Sequence, residues 1–400
     1  MIRSRRLLAA GFVAAIGIAG VTVGATSVGA SAGGGLCEGI DLASLAAGAP
    51  SGTGAEGTAP AGTEPMGTEP AGTAAAGSAP AGTAAEGADG TTVALMFDVT
   101  GRGDKSFNDA AAAGLDQAVA EFGDAIVPTE SPPQSADDRA ERVAAAAEAG
   151  NQLVIATGFL WLDTITQASA AYPDTHFLLI DAVVEADNVH NIVFAEEQGS
   201  FLVGAAAALQ SESGQLGFVG GIPNELILKF EAGFVAGAEC VNPDVEVLVE
   251  YVSDDPQIGF NDPARGKEIG AAMYEAGADV VYAAAGASGN GVLEAAAEAG
   301  EPGETWTIGV DSDLYGQVDA DLQPYVLTSM LKNVGLAVYN TIVSEMDGTF
   351  APGLETYDLS VGGVGYSTSG GFIDAYVPTM EGLAALIADG TIVVPATVEE

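Results

Sequence analysis

From Thr92 onward, short apolar runs alternate with stretches whose apolar residues recur every three or four positions. The short runs predict buried strands, and the periodic stretches predict the helices that cover them. The predicted strands are 93–97, 153–156, 176–180, 191–194, 216–219, 245–251, 280–283, 307–310 and 325–329. The predicted helices are 107–122, 136–149, 162–171, 200–209, 225–238, 263–276, 290–298 and 334–346. This alternation is typical of parallel sheets with helices on both faces.

The number of strand–helix units decides between one body and two. Nine or more units exceed one comfortable doubly wound sheet, which favours two α/β lobes with a cleft between them. A (β/α)₈ barrel is the main alternative, but the linking strand 191–194 and the elements after Asp311 favour two lobes. We predict a first lobe of residues 92–196 plus 312–346 and a second of 197–311 plus 347–400. The hinge is expected where the chain crosses near 194–197, 311–313 and Gly348.

The amino end has the pattern of an export signal. Arginines at positions 3, 5 and 6 precede an apolar run of small residues, and the tripeptide at 30–32 is a small-x-small cleavage site, so residues 1–32 are predicted to be removed. An uncleaved membrane anchor at 7–28 is one alternative, because this run approaches the about 20 apolar residues of a spanning helix. A lipid on Cys37 is another, although Leu36 and Gly34 reverse the order of bacterial lipidation signals.

Residues 33–91 are predicted to form a disordered tether. Between Ala49 and Gly90 the composition falls largely to Ala, Gly, Thr, Pro and Glu, and glycine recurs every five residues at positions 57, 62, 67, 72, 77, 82 and 87. Such a segment holds too little bulky apolar surface to offset its ordering entropy. Its expected role is to hold the folded part at a distance from an attachment point at a membrane or cell wall.

Cys37 and Cys240 are the only cysteines. In an oxidising exported compartment these two thiols can pair. Two unpaired thiols are the alternative, because Cys37 lies outside the predicted folded region. The sequence leaves this choice open.

The charge balance excludes two classes of partner. The formal net charge is −44, from 55 acidic and 11 basic residues. Such a field repels nucleic acid and an anionic membrane surface, so neither is an expected partner. Eight lysines and arginines follow Ala32, and the position of each is therefore informative.

The richest chemistry follows the first predicted strand. Residues 97–109 place the carboxylates of Asp98 and Asp104, the ring of Phe107 and the amide of Asn108 in one polar, glycine-containing turn. At the carboxyl edge of an open α/β sheet, such a turn is where small ligands bind. The set suits a neutral, flat, hydrogen-bonding ligand, and the chain has no glycine-rich phosphate loop of the Walker type. Taken alone, the segment also fits an ordinary strand-to-helix loop.

Further candidates stand at other predicted strand ends. Asp311 and Lys332 each follow a strand, where a carboxylate and an ammonium could grip adjacent hydroxyls of a sugar or form a simple ion pair. The loop at Gly286 opens a helix, so its backbone amides can approach a ligand closely. Phe260 precedes an Asx cap and a helix-starting proline, which fix its ring. A ring there that faces Phe107 would make a slot for a planar base, and a buried core position is the alternative.

Catalysis and metal binding have little support in the sequence. His176 and His190 are the only histidines, and neither has a serine, cysteine or metal-type partner at suggestive spacing. Asp311 and Asp313 could contact calcium, but no loop carries the repeated oxygen ligands of a dedicated site. We therefore expect no catalytic residues, no metal and no cofactor.

Several phrases, taken together and in order, resemble one family. They are Asp104-Lys105-Ser106-Phe107-Asn108, Gly158-Phe159, 177–181, 194–204, 217–221, 230–234, 261–267, 309–313 and 328–333. From about Thr92 to its end, the chain resembles the basic membrane protein family of exported purine-nucleoside-binding proteins that serve ABC importers. The resemblance implies two Rossmann-like lobes joined by a hinge, the type I periplasmic binding protein fold.

The resemblance also implies roles for individual residues. The base would stack between Phe107 and Phe260, while Asp98, Asn108 and Asp181 bond its edge. Ribose hydroxyls would be held by Asp311 and Lys332, with the Gly286 loop beside them. Residues of lower rank are Ser106, Phe159 and Phe230, the last because its phrase falls inside a helix.

The expected function is that of a substrate-binding protein at the cell surface or in the periplasm, which closes on a purine nucleoside and presents it to a membrane permease. The alternatives are the same fold with a sugar or signalling molecule, a secreted nucleosidase using Asp98 or Asp311, and a surface adhesion or scaffold protein. Three features depart from the family: the poor lipidation pattern around Cys37, the long tether and the extreme acidity.

Overall fold

The structure is a computed structural model that describes residues 35–46 and 90–398, together with the backbone of 3–6 and 28–29. The strands are β1 Arg3–Arg6, β2 Val28–Gly29, β3 Thr91–Met96, β4 Ile126–Ser131, β5 Leu153–Thr157, β6 His176–Ile180, β7 Val189–Phe194, β8 Gln215–Gly220, β9 Glu246–Tyr251, β10 Val280–Ala284, β11 Trp306–Asp311, β12 Val326–Lys332, β13 Gly353–Tyr357 and β14 Val364–Tyr366. The helices are α1 Leu42–Ala46, α2 Phe107–Phe122, α3 Arg139–Glu148, α4 Leu162–Ala171, α5 Glu196–Gln210, α6 Glu225–Val241, α7 Pro256–Gly259, α8 Pro263–Glu275, α9 Gly289–Ala299, α10 Val334–Met346 and α11 Val377–Ala388.

The strands form two separate sheets, one in each lobe. The first is parallel throughout and has the order β13-β7-β6-β5-β3-β4. The second has the order β14-β12-β11-β10-β8-β9-β1-β2, and its strands are parallel except for the β12–β14 and β9–β1 pairs. Two mostly parallel sheets with interleaved helices confirm the predicted two-lobed α/β fold.

Every strand and helix predicted from Thr92 onward is present, with ends that differ by a few residues. The prediction missed β4, β13, β14, α7 and α11. Strand β4 lies at a sheet edge, contains a proline and leaves three of its six residues exposed, while β13 leaves four of five exposed. Neither therefore shows the apolar run by which buried strands are recognised.

The sheets correct the predicted lobe boundaries in two places. Residues 312–346 were assigned to the first lobe, but β12 belongs to the second sheet beside β11. Residues 347–400 were assigned to the second lobe, but β13 pairs with β7 in the first sheet. Sequence order suggested these boundaries, whereas strand pairing sets the true ones.

The chain therefore crosses between the lobes at Ala195, Asn333 and Asp358, where elements of one sheet give way to elements of the other. The predicted crossing near 194–197 is confirmed. Those at 311–313 and Gly348 are wrong, because the chain stays in one lobe through both segments.

Helices α5 and α6 cross with their backbones in contact. A Cβ atom added to Gly204 would lie 2.1 Å from the carbonyl oxygen of Phe234, and one added to Gly237 would lie 1.9 Å from that of Phe201. Only glycine leaves room for this approach. The crossing brings the first turn of α5 against the first turns of α6, next to the cleft.

The segment 35–46 packs on the second lobe, which corrects the predicted start of the tether at residue 33. Cys37 forms a disulfide with Cys240 at the end of α6, with a Cα–Cα distance of 5.3 Å. Leu45 of α1 packs against Gly382 of α11. The pairing alternative is therefore the one observed, and a cysteine in a disulfide has no free sulfur to carry a lipid.

Most of the predicted signal, its cleavage site, and residues 47–89 of the predicted tether lie outside the described residues. The backbone of Arg3–Arg6 and Val28–Gly29 extends the second sheet beyond β9. None of the helices in the described ranges has both the length and the apolar character needed to cross a membrane.

Candidate functional site

The polar residues at the predicted strand ends lie at facing edges of the two sheets. They line one cavity of about 610 Å³, a volume that includes its open mouth. All eight predicted ligand-binding residues and two of lower rank line it: Asp98, Phe107, Asn108, Asp181, Phe260, Gly286, Asp311, Lys332, Phe159 and Phe230. Phe230 lies within helix α6, as predicted from the sequence, and lines the cavity from there. Ser106, the third residue of lower rank, lies behind this cavity, and its hydroxyl donates to the Asp311 carboxylate.

Lys332 is the centre of charge in the cavity. Its ammonium lies 2.7 Å from Oδ2 of Asp181 and 3.0 Å from Oε1 of Glu196, and its side chain is 2% exposed. Burial by itself would lower the pKa of Lys332, but Asp181, Glu196 and Asp311 together raise it. The residue is therefore a fixed cation that joins an aspartate of the first lobe to a glutamate of the second.

The same ammonium also lies over aromatic rings. Its nitrogen is 5.2 Å from the ring centroid of Phe107, 5.0 Å from that of Phe194 and 5.7 Å from that of Phe230. Cation–π contacts of this kind strengthen when water is excluded. Together with the carboxylates, these rings fix the position of Lys332.

Asp181 and Asp311 occupy matching positions in the two lobes. Each stands at the carboxyl end of a strand with a left-handed backbone, at φ of 67° and 66°. Non-glycine residues in this conformation are uncommon and concentrate at binding sites. Oδ1 of Asp181 is buried and has no hydrogen-bond partner within the described residues, so the cavity offers a ligand donor an empty acceptor.

Burial raises the pKa of Asp311 to about 7, against the opposing effects of Lys332 and the Ser106 hydroxyl. Ser106 donates to Oδ2 of Asp311, and Ser106 belongs to the first lobe while Asp311 belongs to the second. The two lobes therefore meet directly at a carboxylate that lines the cavity.

Asp98 has a cationic partner that the sequence analysis did not identify. Nη2 of Arg139 lies 3.0 Å from Oδ1 of Asp98, and the guanidinium groups of Arg139 and Arg142 lie over the ring of the fully buried Trp161. Burial nevertheless raises the pKa of Asp98 to about 6, because desolvation outweighs the attraction of Arg139. Arg139 thus orients this carboxylate from behind the cavity.

Asn108 lines the cavity, but its amide is engaged within the protein. Its Oδ1 accepts from the backbone N–H of Asp98 at 2.9 Å. Its Nδ2 donates to Oγ1 of Thr100 at 3.0 Å and to Oδ2 of Asp104 at 2.9 Å. In this conformation Asn108 shapes the loop around Asp98, and its predicted bond to a base would need a second lone pair of Oδ1.

The aromatic rings are arranged differently from the predicted pair. Phe260 makes an edge contact with Phe159, with ring centroids 6.4 Å apart, whereas Phe107 lies beside Lys332. Phe260 is held closely against the backbone, since a Cβ atom on Gly221 would lie 2.2 Å from its ring. Phe107 and Phe260 both line the cavity, and a base between them stays a prediction.

The sequence analysis missed Glu196, Arg139 and Lys229. Lys229 lies 3.0 Å from Oε2 of the fully buried Glu196. A continuous chain of charges therefore runs from Asp181 through Lys332 and Glu196 to Lys229. Glu196 lies between the predicted strand 191–194 and the predicted helix 200–209, where nothing in the local sequence marked it as a buried partner of two lysines. Because only eight lysines and arginines follow Ala32, each of them was a candidate for a specific role, and this scarcity could have drawn attention to Arg139 and Lys229. Over the ranges that the structure describes, no group of three or more His, Cys, Asp or Glu residues could hold a metal ion.

Comparison with known proteins places this cleft in a family. The family of PnrA-like ABC transporter substrate-binding proteins, Bmp, matches residues 91–398. The chain belongs to the Bmp family. The matched range begins at β3 and contains every residue that lines the cavity. The resemblance seen in the sequence is thereby confirmed.

Two curated relatives agree with the Bmp assignment. The chain is 35% identical over 286 residues to the ABC transporter nucleoside-binding protein BmpA of Lactococcus lactis subsp. cremoris, covering 68% of this chain and 80% of that protein. It is 32% identical over 316 residues to basic membrane protein A of Borreliella burgdorferi, covering 77% and 88%. The first of these relatives is named as the nucleoside-binding protein of a transporter, in agreement with the description of the family.

Solved structures support the same fold. An ABC transporter solute-binding protein from Aeropyrum pernix K1 superimposes with a TM-score of 0.63 at 29% identity, covering 76% of this chain and 93% of that one. A 5-methylthioribose transporter protein from Thermotoga lettingae has a TM-score of 0.51 at 15% identity, covering 76% and 93%. The second likeness concerns the fold alone, so a ligand for this Bmp protein must be argued from its own cavity.

Proposed function

We propose that the protein binds a purine nucleoside between its lobes and presents the closed form to the permease of an ABC importer. Membership of the Bmp family and a relative named as nucleoside-binding support this proposal. The mechanism is closure of the two lobes around the crossings at Ala195, Asn333 and Asp358, and no bond is made or broken.

The observation that carries the proposal is the combination of rings and carboxylates in one cavity. Phe107 and Phe260 offer apolar faces for a planar base, and Asp98 offers an oriented carboxylate for its edge. Asp311 and Lys332 line the same cavity, where they can accept from and donate to ribose hydroxyls. Such charge-assisted bonds strengthen in a cleft from which water is excluded.

The charges of the cavity favour a neutral ligand over a nucleotide. Four carboxylates line it, those of Asp98, Asp104, Asp181 and Asp311, against the single ammonium of Lys332. Lys332 is already paired with Asp181 and Glu196, so it has little attraction left for a phosphate. A nucleoside avoids the repulsion that a phosphate would meet.

Calorimetric titration tests the ligand directly. We expect saturable binding of adenosine, guanosine or inosine, weaker binding of ribose, and no binding of the matching monophosphates. Tighter binding of ribose than of every nucleoside would contradict the proposal and favour a sugar ligand. Release of free base from bound nucleoside, followed by chromatography, would instead support a nucleosidase. Mass spectrometry of small molecules released from the freshly purified protein gives an independent identification.

We also propose that the protein is exported to the cell surface or the periplasm. The signal-like pattern at 1–32 and the role of its relatives in import support this location. Fractionation of cells that produce the full chain would test it. Recovery of the whole population with the cytoplasmic fraction would contradict it.

A further inference from the structure

Hydrogen bonds within the first lobe fix the conformation of the loop at 103–106, which contacts the second lobe. The Asp104 carboxylate accepts from three backbone N–H groups at the start of α2, at 2.9–3.1 Å. Asp109 accepts from the backbone N–H groups of Gly103 and Lys105, both at 2.8 Å. These bonds hold Lys105 in a left-handed backbone with φ of 58°.

Hydrogen bonds of three side chains, those of Ser106, Asn290 and Ser312, join this loop to the second lobe. Oγ of Ser106 donates to the carboxylate of Asp311, and Oγ of Ser312 donates to the carbonyl oxygen of Ser106 at 3.0 Å. Nδ2 of Asn290 donates to the carbonyl oxygen of Asp104 at 3.2 Å. None of Ser106, Asn290 and Ser312 lines the large cavity, although the bond of Ser106 ends on Asp311, which does.

On the first lobe's side, the loop lies away from the crossing at Ala195, whereas on the second lobe's side Ser312 follows β11, which pairs with β12 just before the crossing at Asn333. Strand β3, which leads into the loop, stands three strands from β7, where the chain crosses at Ala195. Neighbouring strands lie about 4.8 Å apart, so the loop is roughly 14 Å from that crossing. A small rotation of the lobes about the Ala195 crossing therefore separates these donors and acceptors before it disturbs the contacts beside that crossing.

We propose that Ser106, Asn290 and Ser312 form an interlobe clasp that stabilises the closed form and slows release of the bound ligand. The clasp is coupled to the cavity through Asp311, whose Oδ2 accepts a hydrogen bond from the Ser106 hydroxyl only when the lobes are together. Closure therefore orients Asp311 towards the ligand at the same moment as it completes the clasp. These are positioning residues, and only the identity of the ligand rests on the proposed function.

The serine at 312 gives the cleanest test, because its hydroxyl makes one interlobe bond. We expect Ser312→Ala to release adenosine about three- to tenfold faster in stopped-flow measurements, with an unchanged association rate, as for the loss of one neutral hydrogen bond. Ser312→Thr keeps the hydroxyl and should restore the slow release. Asn290→Ala removes a different interlobe bond and should act in the same direction.

The matched control is Ser344→Ala, which removes a hydroxyl that bonds only within α10 of the first lobe, at 2.8 Å. It should leave the release rate unchanged.

A measurement without ligand separates the clasp from the proposed function. Nitroxide labels on Gln134→Cys and Asp254→Cys, exposed positions near the outer edges of the two sheets, report the opening of the cleft by electron spin resonance. We expect the clasp variants to lengthen this distance in the ligand-free protein. Failure of adenosine to bind the parent protein would count against the proposed function alone. A distance distribution in Ser312→Ala and Asn290→Ala identical to that of the parent would overturn the clasp.

Discussion

At the scale of single residues, the cavity depends on a balance of buried charges around Lys332. The ammonium is almost fully buried, and its two partners Asp181 and Glu196 have side chains that are 3% and 0% exposed. Burying any one of these charges alone would cost several kcal/mol, and only mutual pairing makes the set tolerable. The removal of one member should therefore affect both binding and folding.

Replacement of Lys332 with methionine tests this balance. We expect Lys332→Met to weaken nucleoside binding at least about a hundredfold and to lower the free energy of unfolding by about 3–5 kcal/mol, because the buried Asp181 loses its ammonium partner and Glu196 keeps only Lys229. Calorimetry and denaturant unfolding measure the two effects. The matched control is Lys267→Met, whose ammonium pairs with the exposed Glu294 and Glu298. Equal effects from both substitutions would contradict this account.

The raised pKa of Asp311 predicts a dependence of stability on pH. The pKa is about 7 in the folded protein against an ordinary 3.8, so the folded state holds this proton more tightly than the unfolded chain does. The contribution to stability is fully present below the unfolded pKa and is lost as the pH rises through about 7. Asp98, with a pKa of about 6, acts in the same direction.

Substitution of Asp311 with asparagine removes this contribution. Relative to the parent, the unfolding free energy of Asp311→Asn should rise by on the order of 2–4 kcal/mol between about pH 4 and pH 8. Chemical unfolding at a series of pH values gives the difference. Asp187→Asn, at an exposed position, is the control. A difference between parent and Asp311→Asn that stays constant with pH would refute the assignment.

At the scale of elements, the crossing of α5 and α6 sets the second lobe's side of the site. It brings Glu196, the first residue of α5, against Lys229 of α6, and Phe230 follows on the same helix. The glycines that allow this contact are therefore structural supports of the charge chain, although none lines the cavity.

A methyl group at this crossing should separate the helices. The Cβ of Gly237→Ala would lie 1.9 Å from a backbone oxygen, which only a shift of a helix can relieve. We expect a loss of about 2–4 kcal/mol in unfolding free energy, from overpacking of a close contact, and weaker nucleoside binding. Gly365→Ala is the control, because nothing lies within 4 Å of its added Cβ. Wild-type stability in Gly237→Ala would show that the helices do not pack as described.

At the scale of the whole molecule, the disulfide determines what the predicted tether connects. Cys37 is fixed to the second lobe, while Gly90 leads into β3 of the first lobe. Residues 47–89 therefore connect two points that both lie on the folded protein. A segment that holds the folded protein away from an attachment point would therefore lie before residue 35, and the repeat would not serve this purpose.

Cleavage within the repeat tests this arrangement. A specific protease site inserted between Gly67 and Thr68 should yield two fragments that stay covalently joined until a reductant is added. Intact mass spectrometry with and without reductant makes the comparison, and the same insertion in a Cys37→Ser, Cys240→Ser chain is the control. Separation of the fragments without reductant would mean that the disulfide does not form.

Whether an element could be predicted from the sequence depended on how deeply that element is buried. Buried strands such as β5 and β6 were predicted because all or nearly all of their residues are apolar and inside. Edge strands such as β13 show no such run and were missed. The site residues at strand ends were named correctly as neighbours of one cavity, because the carboxyl ends of parallel strands share one edge.

By itself, the sequence determined the alternation of strands and helices, the two-lobed α/β class, the family, and the residue types at the strand ends. These depend on local apolar patterns and on short phrases of chain. Only the tertiary structure decided which strands share a sheet, where the chain crosses between the lobes, that Cys37 meets Cys240, and that Arg139 and Glu196 support the cavity. The physical reason is that pairing and burial join residues far apart in the chain, and no local pattern records such contacts.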